Sequence, residues 1–401
     1  RGLGDVYKRQ ELDRVREDTP GAGARVHLNN AGAGLMPRPV LEAVSAHLEL
    51  EGSIGGYEAA DLRADAVQDV YVALAELLAT SPENVAITEN ATVSFASVLS
   101  AVPFRPGDRI LTTRNDYVSN QIQYLSLAGR MGVEVVRAPD DPKGGVDVAA
   151  MSDQVRRLRP RLVAVTQVPT NSGLVQDVAG LGEVCRELDI PFLVDACQSV
   201  GQMPVSVDDL GCDFLSGTGR KFLRGPRGTG FLFVSDRMLD AGWEPLLPDM
   251  RAADWIEADL YQPSPDARRY ENWEFPYALV LGLGAAVRYA LDLGLEAIRD
   301  RAWSLARDLR AALPSIPGVT VIDRGETLSA IVACTVRGWE PRDLVVALRA
   351  RGVNTSAVER TSAVLEFDDL GVASALRISP HYYNTRDELD AFLGELRGLV
   401  Q

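Results

Sequence analysis

Asp195 ends one short apolar run, Phe192–Val194, and Lys221 follows another, Phe214–Ser216, across the loop Gly217-Thr218-Gly219-Arg220. A lysine amine so placed can form a Schiff base with an aldehyde, and a carboxylate beside it can keep a pyridine nitrogen protonated. Together they meet the minimum requirement of pyridoxal 5'-phosphate (PLP) chemistry, in which the ring accepts electrons from a substrate carbanion. The chain has only two other lysines, Lys8 and Lys143, and neither follows such a run beside an acid. A third apolar run, Leu162–Thr166, ends in Gln167-Val168-Pro169-Thr170-Asn171. In a fourth place, Thr88-Glu89-Asn90-Ala91-Thr92, a strand pattern turns into a helical one over Thr92–Ala101. Free N–H groups at such a start favour a phosphate, although the same residues also serve as an ordinary helix cap.

These positions gain meaning from the elements that carry them. Seven short apolar runs predict strands over Val85–Thr88, Arg109–Thr112, Val133–Val136, Leu162–Thr166, Phe192–Asp195, Phe214–Ser216 and Gly230–Val234. Helical spacing over Leu62–Ala79, Val118–Met131 and Leu181–Leu188 supplies crossovers, so the reading is an α/β fold with a mostly parallel seven-stranded sheet. In such a sheet, ligands bind beyond the carboxyl ends of the strands, where the residues above lie. After Pro276 the pattern changes to a long helical stretch, Tyr277–Leu313, then strands over Gly318–Ile322 and Ala330–Val336, a helix over Arg342–Arg351, a strand over Ala375–Ser379 and a last helix over Arg386–Leu399. The expected organisation is an extension over 1–25, non-native or disordered in part, a large cofactor-binding domain over 26–276, and a small C-terminal α+β domain over 277–401. The first ten residues, RGLGDVYKRQ, lack any periodicity, and the organised chain is expected to start near Val26.

Composition narrows the partners. Of 401 residues, 41 are Lys or Arg and 56 Asp or Glu, a formal charge of −15 that repels phosphate backbones and anionic lipid. No nucleic-acid or membrane partner is expected, and no uncharged apolar run approaches the roughly 18 residues of a bilayer span. Without a signal-peptide pattern, the expected location is cytoplasmic. Cys185, Cys197, Cys212 and Cys334 show no CxxC spacing and His27, His47 and His381 are scattered, so no metal site is expected.

From His27-Leu28-Asn29-Asn30-Ala31-Gly32 to Tyr382-Tyr383-Asn384-Thr385 the chain resembles the class V aminotransferase family of fold-type I PLP-dependent enzymes, which includes cysteine desulfurases, selenocysteine lyases, kynureninases and isopenicillin N epimerases. The most specific segments are Val194-Asp195-Ala196-Cys197-Gln198-Ser199-Val200-Gly201 and Ser216-Gly217-Thr218-Gly219-Arg220-Lys221, followed by Gly225-Pro226-Arg227-Gly228-Thr229-Gly230. The resemblance implies that Lys221 bonds the cofactor and Asp195 faces its pyridine nitrogen. It implies further that Gln198 and Asn171 face the ring hydroxyl, that Ala91, Thr92, Thr218 and Arg220 hold the phosphate, and that Arg377 binds the substrate carboxylate. For Arg377, an ion pair with a neighbouring acid is the competing reading. A homodimer is also implied, with a partner loop at Tyr270-Glu271-Asn272-Trp273-Glu274 completing the phosphate site, where Asn272 is the side chain suited to the task.

Two departures bear on activity. Where many relatives read E-x-H-x-N, with a histidine stacked on the cofactor, this chain reads Asp116-Tyr117-Val118-Ser119-Asn120, which puts Val118 at the stacking position. The small-domain stretch that holds the nucleophilic cysteine of desulfurases, Val353-Asn354-Thr355-Ser356-Ala357-Val358-Glu359, contains none. The expectation is therefore an enzyme that takes an amino acid as an external aldimine and cleaves carbon–sulfur bonds by β-elimination. An aminotransferase or epimerase of the same family is the alternative, and a PLP-binding regulator without turnover the alternative of another class. Cys197 and His381 are expected to be structural.

Overall fold

The structure, a computed structural model, describes residues 11–400, so the expectation about the first ten residues lies outside it. Its strands in chain order are β1 (Val26–His27), β2 (Val85–Thr88), β3 (Arg109–Thr112), β4 (Glu134–Arg137), β5 (Leu162–Thr166), β6 (Phe192–Asp195), β7 (Phe214–Thr218) and β8 (Gly230–Val234). There follow β9 (Ala253–Glu257), β10 (Leu260–Pro263), β11 (Val319–Val321), β12 (Val332–Val336), β13 (Val353–Asn354), β14 (Ser356–Glu359) and β15 (Ser374–Ile378).

Seven of these form one sheet in the order β2-β8-β7-β6-β5-β3-β4. The run from β7 to β4 is parallel, while β8 lies antiparallel to both β7 and β2. This is the mostly parallel seven-stranded sheet that the sequence predicts. Its strands read as unbroken apolar runs because both faces are covered: Phe192 and Val194 enter the core on one side and Leu193 the core on the other, and Leu215 and Phe214 divide likewise. One layer contains the helices Ala64–Leu78 and Tyr277–Leu293, the other the helix Ala91–Ala101. A smaller antiparallel sheet, β11-β12-β15-β14, packs with the helices Leu295–Ala312, Pro341–Ala350 and Arg386–Val400.

Several boundaries differ from the sequence reading. The stretch Tyr277–Leu313 is two helices, Tyr277–Leu293 and Leu295–Ala312, because Gly294 adopts φ 82° and breaks the hydrogen-bond ladder. The first of them places Val280, Leu283, Val287 and Ala290 in the large-sheet core, which Ile298 of the second also joins, while Leu305, Ala306 and Leu309 of the second pack in the core of the small sheet. At the other end, residues 11–17 are helical, Val15 is buried, and Arg16 pairs with Glu388 at 2.8 Å. The part of the 1–25 extension that can be described is thus docked on the fold. Strand β1 leaves the large unit altogether and pairs in parallel with β13, Val26 opposite Val353.

Candidate active site

The sheet register brings the reactive side chains together. Thr166 of β5 lies opposite Asp195 of β6, and Asp195 lies opposite Ser216 of β7, so the strand ends form a row from which the loops to Asn171, Gln198 and Lys221 leave side by side. Gly230 of β8 lies between Thr88 of β2 and Thr218 of β7. A Cβ on Gly230 would stand 2.5 Å from the Asn90 carbonyl carbon and 2.7 Å from the Ala91 nitrogen. The bare backbone there lets the start of the helix Ala91–Ala101 close against the end of β7, which joins Ala91 and Thr218 on one rim. Asn90 caps that helix by accepting from Val93 N at 3.0 Å, and Thr92 is exposed in the first turn.

Lys221 sits in the turn that Gly219 and Gly225 close, where Gly225 N donates to Gly219 O at 2.8 Å. Its side chain is 6% exposed, and burial, the largest influence, lowers its pKa, with Arg220 and Arg377 acting in the same sense against Cys197 and Asp195. A lowered ammonium pKa is what an amine nucleophile needs near neutral pH. Asp195 is equally buried and held by two donors, Cys197 N to Oδ1 at 2.9 Å and Asn120 Nδ2 to Oδ2 at 3.0 Å. Asn120 also donates to Asp116 Oδ1 at 3.0 Å, and Asp116 accepts further from Thr166, Gln121 and the Tyr117 amide. Burial raises the Asp116 pKa, opposed by these hydrogen bonds and reinforced by the nearby Asp195 charge.

Arg377 projects from β15 to the same place. Its Nη1 donates to Thr170 O at 2.9 Å and Thr170 Oγ1 at 2.8 Å, and its Nη2 donates to Asn29 Oδ1 at 3.3 Å. Burial, with Arg220 nearby, pushes its pKa down to about 10. Among the described residues neither Arg377 nor Lys221 forms an ion pair, which removes the competing reading of Arg377. Two buried cations without anionic partners among the described residues, with Arg377 Nε also lacking any acceptor, form a site with the charge to accept an anionic ligand.

The other expected residues lie around this centre. Gln198 Nε2 donates to Ala31 O at 3.0 Å and to Thr170 Oγ1 at 2.8 Å, which leaves its buried Oε1 as the group without a partner. Arg220, half-buried, donates to the Gly32 carbonyl. Asn171 is buried and donates through Nδ2 to Glu366. Val118 is the first residue of the helix Val118–Met131 and half-buried, but the aromatic ring facing Lys221 belongs to Tyr117, whose centroid is 5.6 Å from Nζ. Asn272 bonds within its own chain, donating to Glu89 Oε1 at 2.8 Å, while Glu271 is tied to Tyr71, Ile87 N and Arg251. Trp273 is exposed, and His381 is fully buried with Nε2 2.8 Å from Phe222 O, a structural position. Cys197 is half-buried, and desolvation, with Asp195 beside it, drives its thiol well above the usual range.

Sequence reasoning missed Asn29, Tyr117, Asn120, Thr170 and Glu366. A signal existed for Asn120, four residues after Asp116, which lies just before the helix and accepts from Asn120 in its first turn. No signal existed for Glu366, whose partner is distant in the chain.

Residues 26–392 match the profile of the family described as "Aminotransferase class-V". A probable cysteine desulfurase of Methanothermobacter thermautotrophicus is 29% identical over 95% of this chain and 96% of its own. A probable hercynylcysteine sulfoxide lyase of Mycobacterium tuberculosis is also 29% identical, over 95% of this chain and 91% of its own. Among solved structures, the apo cysteine desulfurase of Thermococcus onnurineus NA1 superposes with a TM-score of 0.88 at 25% identity, covering 97% of this chain and 98% of that one.

Proposed function

The chain belongs to the class-V aminotransferase family of PLP-dependent enzymes, and from that premise we propose that it is a carbon–sulfur lyase acting on a sulfur-bearing amino acid by β-elimination. The observation that carries this reading is the distribution of thiols. Cys185, Cys212 and Cys334 are buried in the hydrophobic cores, and Cys197 lies beneath the site beside Asp195. The segment 353–370 offers hydroxyls at Thr355, Ser356, Thr361 and Ser362 but no thiol. Attack on a substrate sulfur needs a thiolate, and a hydroxyl at neutral pH is far too weakly ionised to replace it. The likeness to both desulfurases and a sulfoxide lyase supports sulfur chemistry, and the missing nucleophile supports elimination within it.

The residues present fit the cofactor. Lys221 would carry it, with Asp195 at the pyridine nitrogen. The rim of Ala91, Thr92 and Thr218, with Arg220, would hold the phosphate, while Gln198 and Asn171 would lie along the hydroxyl edge. The orphaned Gln198 Oε1 and the two unpaired cations support this assignment. When bound, PLP supplies an electron sink that stabilises a carbanion at the substrate Cα. Arg377 would fix the substrate carboxylate by a charge-assisted pair. Asp195 is kept in one orientation by Cys197 N and Asn120, so its charge stays aligned. Once the substrate amine has displaced it from the cofactor, the Lys221 amine, its pKa lowered by burial, would take the Cα proton, and the sulfur group would then leave from Cβ with the bonding pair. The unsaturated amine released would hydrolyse to pyruvate and ammonia.

The test is the co-product of cleavage by the holoprotein across cysteine, cystine, thioether and sulfoxide substrates. Pyruvate in step with released sulfide, persulfide, thiol or sulfenate, respectively, is expected, without sulfur on the protein. Stoichiometric alanine with a persulfide on Cys197 would overturn the reading. We propose also that a second copy of the chain completes the assembly, because Leu246, Leu247, Met250 and Trp255 are each more than 60% exposed around the hairpin β9–β10.

A further inference from the structure

The buried acid Glu366 has no part in the chemistry above. It lies on the helix Val364–Leu370 of the small unit, is 8% exposed, and accepts a hydrogen bond from Asn171 Nδ2 just past β5. The same helix is fastened a second time by Asp369, which pairs at 2.6 Å with Arg114 just past β3. One short helix is thereby tied to two strand exits of the large sheet. The residue before Asn171, Thr170, receives both Arg377 and Gln198. The carboxyl of Glu366 therefore meets the dipeptide that already organises the substrate and ring edges of the site.

An ionised carboxylate only accepts hydrogen bonds, so it obliges Asn171 to turn its NH2 toward the helix and its oxygen away. A protonated carboxyl carries an O–H that can donate to the amide oxygen, which turns the NH2 the other way. We propose that Glu366 is a positioning residue which sets the orientation of the Asn171 amide through its own protonation, and so tunes the hydroxyl edge of the bound cofactor. This rests on the placing of that edge at Asn171 given above. The surroundings put the change near neutrality: burial, the leading cause, with the Asp323 and Asp140 carboxylates, pushes the Glu366 pKa up to about 7 against Arg324 and the Asn171 bond. Neighbouring charges are otherwise engaged, Asp323 with Arg310 at 2.7 Å and Asp140 and Asp369 with Arg114.

The experiment follows the absorbance spectrum and the dissociation constant of PLP as the holoprotein is titrated through neutral pH, for the wild type, Glu366→Gln and Asn171→Ala. The wild type should show a spectral step and a change of about three- to tenfold in cofactor affinity centred near pH 7, and both variants should lose the step while still binding cofactor. A wild type without the step overturns the proposal whatever the variants do. So does a step retained in Glu366→Gln, or a Glu366→Gln protein that loses cofactor equally at every pH, which marks a purely structural role. Should neither variant fold, the wild-type infrared band of a protonated carboxyl must vanish with the same midpoint, and its absence below that midpoint overturns the proposal. Turnover enters none of these readouts. A protein with the step that makes no pyruvate sinks the lyase reading alone, and one that makes pyruvate without the step sinks only the role of Glu366.

Discussion

In the proposed reaction, Arg377 is the residue on which substrate binding would turn. Its guanidinium is buried, free of any acid among the described residues, and oriented by Thr170 and Asn29. A charge held in this way costs folding energy until a carboxylate arrives. Arg377→Ala should therefore fold at least as well as the wild type and raise KM roughly ten- to a hundredfold, about 1.5–3 kcal/mol, with a smaller change in kcat. Steady-state kinetics on a substrate that the wild type cleaves provide the check. An equal fall in kcat with an unchanged KM would assign Arg377 to the chemical step instead. Lys221 and Asp195 could be singled out in the sequence because each follows a strand pattern, whereas the role proposed for Arg377 was implied by the family resemblance alone. Tyr117 and Glu366 could not be singled out, since an aromatic residue before a helix and an acid within one carry no mark of what they will face.

At the scale of elements, the proposed phosphate rim would depend on how closely β8 lies to the helix Ala91–Ala101. A Cβ at Gly230 would meet the backbone of Asn90 and Ala91, which cannot swing aside as a flexible side chain could. Gly230→Ala should destabilise the protein by about 1–3 kcal/mol. It should also weaken PLP binding beyond what the lower melting temperature explains, as a cofactor titration well below that temperature will show. A lower melting temperature with unchanged PLP affinity would separate the rim from this contact. Five of the seven large-sheet strands have the expected bounds, β7 runs two residues further and β4 is shifted by one, because sheet strands are marked by short runs of β-branched and aromatic residues. The helix break at Gly294 escaped notice because apolar residues keep a helical spacing on both sides of it. The pairing of β1 with β13 escaped because two residues are too few to show any period.

For the whole molecule, the hairpin β9–β10 and the loop before it expose Leu246, Leu247, Met250, Trp255 and Ile256. That apolar surface is the reason a contact between copies of the chain is proposed. Sedimentation of the holoprotein should give a dimer, and Trp255→Asp with Leu247→Asp should shift it toward monomer. A wild type that sediments as a monomer with full PLP occupancy would remove the second copy from the account. The strand pair β1–β13 has a consequence for synthesis. Asn354 Nδ2 meets His27 Nδ1 at 3.1 Å across 327 residues of chain. On the ribosome, the first strand must wait for some 327 further residues before its partner is made, while the large sheet between them emerges. The two strands are thus kept apart until residue 353 has been made. A nascent chain arrested before residue 353 should hold a closed large sheet and a free, protease-sensitive N-terminal arm.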